Sequence, residues 1–174
     1  MLILLLTMET FNFDNLTRFS LTNDLFNTHI DKSFETFSSK TKITDENYIK
    51  GYMECISVLN NSDCVVQNVE AVRDVVARRR NIITYLGIQE DRVVATATIV
   101  LEIKLRYNKM CCHIEDVATR LEDRGKGYGK QMVEHCVKGA KDNNCYKVKL
   151  NCEEHLIPFY SSLGFERHGA HMYQ

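Results

Sequence analysis

The chain has 174 residues, of which 44% are hydrophobic and 26% are charged, and its formal net charge is −1. This length and composition are typical of one soluble globular domain with a substantial core. The near-neutral charge gives no overall positive field, so neither nucleic acid nor an anionic membrane is an expected partner.

The seven cysteines indicate a reducing compartment. They are odd in number and scattered along the chain, which favours buried free thiols over a disulfide framework. The sequence contains no Cys-x-x-Cys pair and no His-Glu-x-x-His spacing. We therefore expect no metal site.

The first 35 residues form an N-terminal extension that no single hydrophobic period fits. It is either an arm packed on the domain or on a partner subunit, or a poorly ordered extension. Residues 1–6 (MLILLL) are apolar, but a secretory signal has a basic start and a longer apolar core. No run approaches the roughly 18 apolar residues of a membrane span. We therefore expect a cytoplasmic protein with an extension at residues 1–35 and one domain at residues 36–174.

The domain begins with a predicted strand and two predicted helices. Residues 36–44 favour a short strand, and Thr44 followed by two acidic residues predicts the start of a helix. Apolar residues recur at helical spacing as far as Leu59, and the polar run at residues 60–63 ends that helix. A second helix is predicted over residues 69–79, with valines on one face and arginines at its C-terminal end.

Three strands follow. Residues 82–88 predict a strand, residues 89–92 a turn, and residues 93–105 a long strand with regular alternation. The apolar face of the long strand carries Val93, Ala95, Ala97, Ile99, Leu101, Ile103 and Leu105. The other face, which is expected to meet a helix, solvent or a ligand, carries Thr96, Thr98, Glu102 and Lys104. Residues 108–112 then predict a turn, and residues 113–118 predict the third strand.

The remainder alternates helices and strands. An amphipathic helix is predicted over residues 128–142, a strand over residues 146–152 and a short helix over residues 156–163. Pro158 fits only the first turn of the short helix, and Gly164 is the residue expected after its end. A final strand begins at Phe165. Because hairpins and crossovers alternate, this order predicts an α/β domain with a mixed sheet.

A glycine-rich turn leads into the 128–142 helix and reads RGKGYGK at residues 124–130. Glycine adopts positive φ and lets the backbone approach another group closely. Backbone N–H groups at a helix start, with cations beside them, form an anion site. The spacing matches neither G-x-x-x-x-G-K-[ST] nor G-x-G-x-x-G. The turn therefore predicts a diphosphate site; the alternative is a plain glycine-rich loop that caps a helix.

Five segments of the chain read, in order, VVATATIVLEIK, HIEDVA, RGKGYGK, NCYKVKLNC and IPFYSSLGF. Together they resemble the GNAT family of N-acetyltransferases, and within it the eukaryotic glucosamine-6-phosphate N-acetyltransferases. The resemblance covers about residues 44–172. It implies a mixed, mostly antiparallel sheet whose central strands splay apart, flanked by helices. It also implies a homodimer that transfers an acetyl group from acetyl-CoA directly to glucosamine 6-phosphate, without an acyl-enzyme.

The resemblance also implies roles for individual residues. Tyr160 would donate a proton to the departing sulfur, and a backbone N–H on the splayed strand would hold the oxyanion. Glu115 and Asp116 would contact the sugar and its amine, which must lose a proton before attack. The residues expected to bind acetyl-CoA are Val117, Ala118, Thr119, Arg124, Gly125, Lys126, Gly127, Tyr128, Gly129, Lys130 and Tyr160. Those expected to bind the sugar phosphate are Glu102, Lys104, Glu115, Asp116, Tyr146, Lys147 and Asn151.

Simpler interpretations remain open for some of these residues. Glu102 and Lys104 can be solvated strand residues, and Tyr146 and Tyr160 can be packed in the core. Asn151 stands where the family has an acid, and its amide carries no charge to hold an ammonium. The chain also ends at Gln174, about where the family's phosphate-binding arginine follows. Two alternative functions follow: acetylation of another small amine, or a catalytically weak paralogue that binds acetyl-CoA.

Overall fold

The computed structural model describes residues 2–7, 34–36, 46–59, 68–89 and 92–169. Its strands are β1 (Leu2–Thr7), β2 (Phe34–Thr36), β3 (Ile82–Gln89), β4 (Arg92–Lys104), β5 (Lys109–Thr119), β6 (Cys145–Cys152) and β7 (Glu166–Arg167). Its helices are α1 (Glu46–Ile56), α2 (Val69–Arg78), α3 (Tyr128–Asp142) and α4 (Ile157–Ser161). The strands form one sheet in the order β2-β3-β4-β5-β6-β1-β7.

The sheet is mixed and mostly antiparallel, as predicted. Strands β3, β4 and β5 pair antiparallel as a meander, whereas β5 and β6 are parallel and are connected through α3. Parallel neighbours require a crossover, and α3 supplies it. The apolar face of β4 packs against this helix around Ile99, Met132 and Val133, which are fully buried. With α3 packed on this core, the first turn of the helix lies beside Thr119 at the end of β5.

A second, smaller core lies on the opposite face, where α1 and α2 pack against Leu86 and Val93. The predicted face of Val93 is therefore wrong, because a register shift between β3 and β4 at Gly87 and Ile88 separates it from Ala95, which lies in the main core. Gly51 of α1 approaches β4 so closely that a Cβ there would lie 2.9 Å from the Val93 Cβ. Thr96 and Thr98 are buried on this face, and Thr98 shares a hydrogen bond of 3.0 Å with Thr84. The polar face of the long strand therefore meets a helical layer along its first half.

The β4–β5 connection differs from the prediction. The turn lies at residues 105–108 rather than 108–112, and β5 begins at Lys109. Asn108, at φ 47, supplies the positive φ that this turn requires. Because the strand pair extends beyond the helices, Ile103 and Leu105 are 49% and 89% exposed rather than buried. The apolar alternation correctly predicts a strand here but overestimates the length of the core.

Helix α3 has the predicted bounds, and Gly164 follows α4 at φ 85, as predicted. The six described cysteines are free and buried, in agreement with the prediction. None of the helices in the described ranges is long and apolar enough to cross a membrane.

Several predictions concern positions outside the described residues: the strand at 37–44, the helix start at Thr44, the break at 60–63, Cys64 and the last five residues. The boundary at residue 36 stays a prediction. Within the first 35 residues, β1 lies between β6 and β7 and pairs antiparallel with both.

Candidate active site

A cleft opens where β5 and β6 stop pairing. Their ladder ends at Ile114 opposite Leu150, whereas β5 continues to Thr119. Just beyond that point, two residues of β5, Asp116 and Val117, lie opposite one residue of β4, since Thr98 pairs with Glu115 and Thr96 with Ala118. A bulge of this kind bends one strand away from its neighbour. The backbone of Val117, Ala118 and Thr119 consequently carries no pairing to β6, which agrees with the expected splay.

Asp116 lies inside this bulge with φ 53, a value that is uncommon for residues other than glycine. Its side chain reaches solvent, but partial burial by the surrounding protein raises the pKa of the carboxyl group, an effect that the charge of Arg79 opposes. The carboxyl group is therefore a better proton acceptor than an ordinary aspartate.

The glycine-rich turn lies beside the open end of β5. Gly125 and Gly127 adopt φ 77 and 87, and Gly127 is the N-cap of α3. Neither glycine has an atom within 4 Å of where a Cβ would stand, so backbone conformation rather than packing requires glycine. The first turn of α3 is close to the cleft, because a Cβ on Gly129 would lie 3.5 Å from the Thr119 Oγ1. The exposed N-terminus of α3 thus faces the end of the splayed strand.

Asp123 connects the glycine-rich turn to the start of β4, and no sequence pattern predicted this role. It is 2% exposed and accepts a hydrogen bond of 2.7 Å from the Lys126 Nζ. Its Oδ2 lies 2.9 Å from the Arg92 Nη2 at the start of β4. The hydrogen bond from Lys126, together with the charge of Arg92, lowers the pKa of Asp123. Lys126 is therefore paired within the loop, although sequence reasoning assigned it to the diphosphate alone.

Tyr160 lies in α4, just after the end of β6. It is 6% exposed, and its ring makes edge contacts with Phe159 and Phe165 at 4.9 and 6.1 Å. Burial raises the pKa of Tyr160 to about 12. The hydroxyl is therefore protonated at neutral pH and able to donate. The interpretation as a core residue and the interpretation as a proton donor are compatible.

The other polar residues share the sheet face that α1 and α2 leave uncovered. The described residues on it include Glu102, Lys104, His113, Glu115, Lys147, Lys149 and Asn151. His113 Nδ1 lies 3.1 Å from the Glu115 Oε1, and Lys104 is paired with Glu102. The Asn151 Oδ1 is buried and has no hydrogen-bond donor among the described residues. It can accept a hydrogen bond from a ligand.

Tyr146 is separated from the cleft. It lies at a register shift near the start of β6, and its ring is 5.8 Å from the Tyr107 ring and 5.3 Å from the Lys147 Nζ. The structure thus brings Glu115, Asp116 and Asn151 to the open end and leaves Tyr146 at the opposite end. Among the described residues, no three His, Cys, Asp or Glu side chains are grouped so as to hold a metal ion. The functional roles of these residues stay predictions.

Known proteins match this fold and this order of elements. The model of the Acetyltransferase (GNAT) family matches residues 44–165. Glucosamine 6-phosphate N-acetyltransferase 1 of Dictyostelium discoideum is 27% identical over 73% of this chain and 83% of its own length. The Schizosaccharomyces pombe glucosamine 6-phosphate N-acetyltransferase is 38% identical over 52% of this chain and 83% of its own. The crystal structure of the Arabidopsis thaliana glucosamine-6-phosphate N-acetyltransferase is 25% identical, with a TM-score of 0.66, covering 82% of this chain and 98% of that one. The chain belongs to the acetyltransferase (GNAT) family.

Proposed function

We propose that this protein transfers the acetyl group of acetyl-CoA to the amine of D-glucosamine 6-phosphate. The product is N-acetylglucosamine 6-phosphate, a precursor for UDP-N-acetylglucosamine, and the enzyme is a cytoplasmic homodimer. One observation carries the proposal: the cleft between β5 and β6 has the glycine-rich turn at the N-terminus of α3 on one side and a charged sheet face on the other. The named relatives support the choice of acceptor.

Acetyl-CoA fits the residues on the turn side of the cleft. Its diphosphate would lie on the backbone N–H groups of residues 125–129, beside Arg124 and Lys130, because a helix N-terminus and nearby cations attract anions. The pantetheine arm would run along β5 at Val117, Ala118 and Thr119, on the side that β6 leaves unpaired, and hydrogen-bond to the backbone groups there. Bound there, acetyl-CoA supplies an electrophilic thioester carbonyl near Tyr160.

The acceptor amine would approach from the charged face. Glu115 or Asp116 takes the proton of the ammonium, and the Asn151 Oδ1 accepts a hydrogen bond from the same nitrogen. The nitrogen then forms a bond to the carbonyl carbon, and the carbon–sulfur bond breaks. Tyr160 donates its proton to the leaving sulfur, which departs as the thiol of CoA. The second proton that the nitrogen loses on forming the amide returns through solvent to the Tyr160 oxygen and restores the phenol.

Direct transfer agrees with the state of the cysteines. Burial raises the pKa of each of the six described thiols, and that of Cys145 reaches about 12. Thiols rather than thiolates are present at neutral pH, and a thiol is a poor nucleophile. No acyl-cysteine is therefore required in the proposed reaction.

A different amine is the second candidate acceptor, and Asn151 is the observation that favours it. An amide at this position cannot attract an ammonium by charge, so a weakly basic or neutral amine would be accommodated equally well. A catalytically weak paralogue that binds acetyl-CoA is the remaining alternative.

The release of CoA from acetyl-CoA tests the proposal. The acceptors are glucosamine 6-phosphate, glucosamine and a peptide with a free amine, each measured at equal concentration. Selective turnover of glucosamine 6-phosphate is expected. Turnover of the other amines alone would favour the second acceptor, and acetyl-CoA binding without turnover would favour the paralogue. Light scattering in the same buffer checks the dimer.

A further inference from the structure

Lys149 lies at the centre of the charged sheet face and has no role in the function proposed so far. It alternates with the buried residues Val148 and Leu150 on β6, so its side chain lies on the face opposite the main core. His113 pairs with it across the β5–β6 ladder, and Asn151 follows it two positions later on the same face. Its side chain is 24% exposed and is therefore partly enclosed but accessible.

The charges around Lys149 leave its ammonium available. Lys104 is in close contact with Glu102, the only acidic partner that the structure gives to either lysine among the described residues. The Lys149 Nζ lies 3.9 Å from the Glu102 Oε2, which is too long for a hydrogen bond. The three lysines Lys104, Lys147 and Lys149 outnumber the two glutamates of this face, Glu102 and Glu115, so the face has an excess of positive charge.

The position along β6 matches the two ends of an amino sugar phosphate. A strand rises about 3.3 Å per residue, so the Cα of Lys149 lies roughly 7 Å from the Cα of Asn151, and the Cα of Lys147 lies roughly 13 Å from it. The first distance corresponds to a pyranose ring with its exocyclic phosphate, with the amine held at the open end of the cleft. The second distance exceeds the length of the molecule, so Lys147 can reach the phosphate only through the length of its own side chain.

We propose that Lys149 binds the phosphate of the acceptor and so determines its preference for a phosphorylated sugar. This proposal rests on the proposed function, since the amine must lie near Asn151. A lysine binds phosphate as a compact charge with three donors, and Lys149 is placed to do so without breaking an existing hydrogen bond. Lys147 would then contact the outer phosphate oxygens through its flexible side chain.

The test compares Lys149→Met, which keeps most of the side-chain length, with Lys149→Arg and with the matched control Lys138→Met. Lys138 is exposed on α3, away from the cleft. Calorimetry measures the binding of glucose 6-phosphate, which has no amine, and of glucose. Kinetics measure kcat and KM for glucosamine 6-phosphate and for glucosamine.

We expect Lys149→Met to weaken the binding of the phosphorylated sugars and to leave the turnover of the unphosphorylated amino sugar nearly unchanged. Lys149→Met should weaken glucose 6-phosphate binding and raise KM for glucosamine 6-phosphate by about tenfold to a hundredfold. The kcat value and the turnover of glucosamine should stay within about twofold of the wild type, because the amine end of the site is unchanged. Lys149→Arg should retain most of the phosphate preference, and Lys138→Met should behave as the wild type.

The two proposals fail in different ways. If the wild type selects glucosamine 6-phosphate and Lys149→Met keeps the same selectivity, the role of Lys149 is wrong and the proposed function stands. If the wild type binds glucose 6-phosphate through Lys149 but does not acetylate glucosamine 6-phosphate, the proposed function is wrong and the phosphate site stands. If the wild type binds no hexose phosphate, the role of Lys149 is overturned.

Discussion

At the scale of single residues, the proposed role of Tyr160 as a proton donor depends on how its ring is packed. Its ring lies between Phe159 and Phe165, and the same burial that stabilises the ring keeps its hydroxyl protonated. An ordinary tyrosine titrates near pH 10, whereas the pKa of Tyr160 is about 12. The donor therefore persists through the whole pH range in which an amine becomes a free nucleophile.

Replacing Tyr160 by phenylalanine should lower kcat by about a hundredfold, since a positioned proton donor contributes at least that much. The affinity for acetyl-CoA should change by less than about twofold, because the ring and its contacts remain. Pre-steady-state and steady-state kinetics, with calorimetry for acetyl-CoA, measure both quantities. An unchanged kcat would remove Tyr160 from the mechanism.

At the scale of elements, the structure places the glycine-rich turn, the predicted diphosphate site, at the N-terminus of α3. Changing Gly127 to Asp should weaken CoA binding by about tenfold or more, because it adds strain at φ 87 and a negative charge where the diphosphate would lie. Gly169→Asp is a matched control: Gly169 has φ 72, is exposed and also has no atom near a Cβ. Equal CoA affinity in the two variants would contradict the diphosphate assignment.

The stability of the turn that precedes α3 should depend on Asp123. Asp123→Asn loses the ion pairs with Lys126 and Arg92 and should destabilise the protein by about 1–3 kcal/mol at pH 7. It should also weaken CoA binding, because the turn is no longer tied to β4. Urea denaturation and calorimetry measure the two effects, and Asp142→Asn, exposed at the end of α3, serves as the control.

This effect should depend on pH. Because the pKa of Asp123 is lowered in the folded state, its carboxylate stabilises the protein above its ordinary pKa of 3.8, and that contribution is lost as the pH falls through the folded-state value. The stability gap between wild type and Asp123→Asn should therefore be full at pH 7 and smaller at pH 3. A gap that stays constant would show that the charge of Asp123 does not stabilise the fold.

At the scale of the whole molecule, the approach of α3 to the sheet is set by Gly139. A Cβ at this position would overlap the Tyr85 hydroxyl and lie 3.2 Å from the Tyr85 Cζ and 3.4 Å from the Ile99 Cδ1. Gly139→Ala should therefore cost about 1–3 kcal/mol, which lowers Tm by several degrees in a protein of this size. Adding Tyr85→Phe removes the overlapping oxygen and should restore part of the loss. If the double variant were no more stable than Gly139→Ala, the close contact would not be the cause.

The cleft between β5 and β6 also depends on the whole sheet. It requires a parallel pair, β5 and β6, on either side of a crossover helix, together with a bulge in β5 that is set by its pairing with β4. Each partner comes from a different part of the chain. The cleft therefore forms only when β5 is paired in register with both β4 and β6.

Local patterns determined much of this protein. The bounds of α3, the φ values of Gly127 and Gly164, and the mixed sheet follow from hydrophobic period, glycine freedom and the alternation of elements. These features depend on residues close in sequence. The five-segment resemblance then led to the family, because each segment carries a local shape or chemistry that reads directly from the chain.

The tertiary structure decided which residues meet. Asp123 lies buried against Arg92, 31 residues away, and Lys149 lies beside His113 and Glu102 through a register that no local pattern encodes. The alternation in β4 likewise could not show that Ile103 and Leu105 extend past the helices into solvent. Burial and pairing between distant segments set these outcomes, since a side chain's surroundings, rather than its type alone, determine its charge and its role.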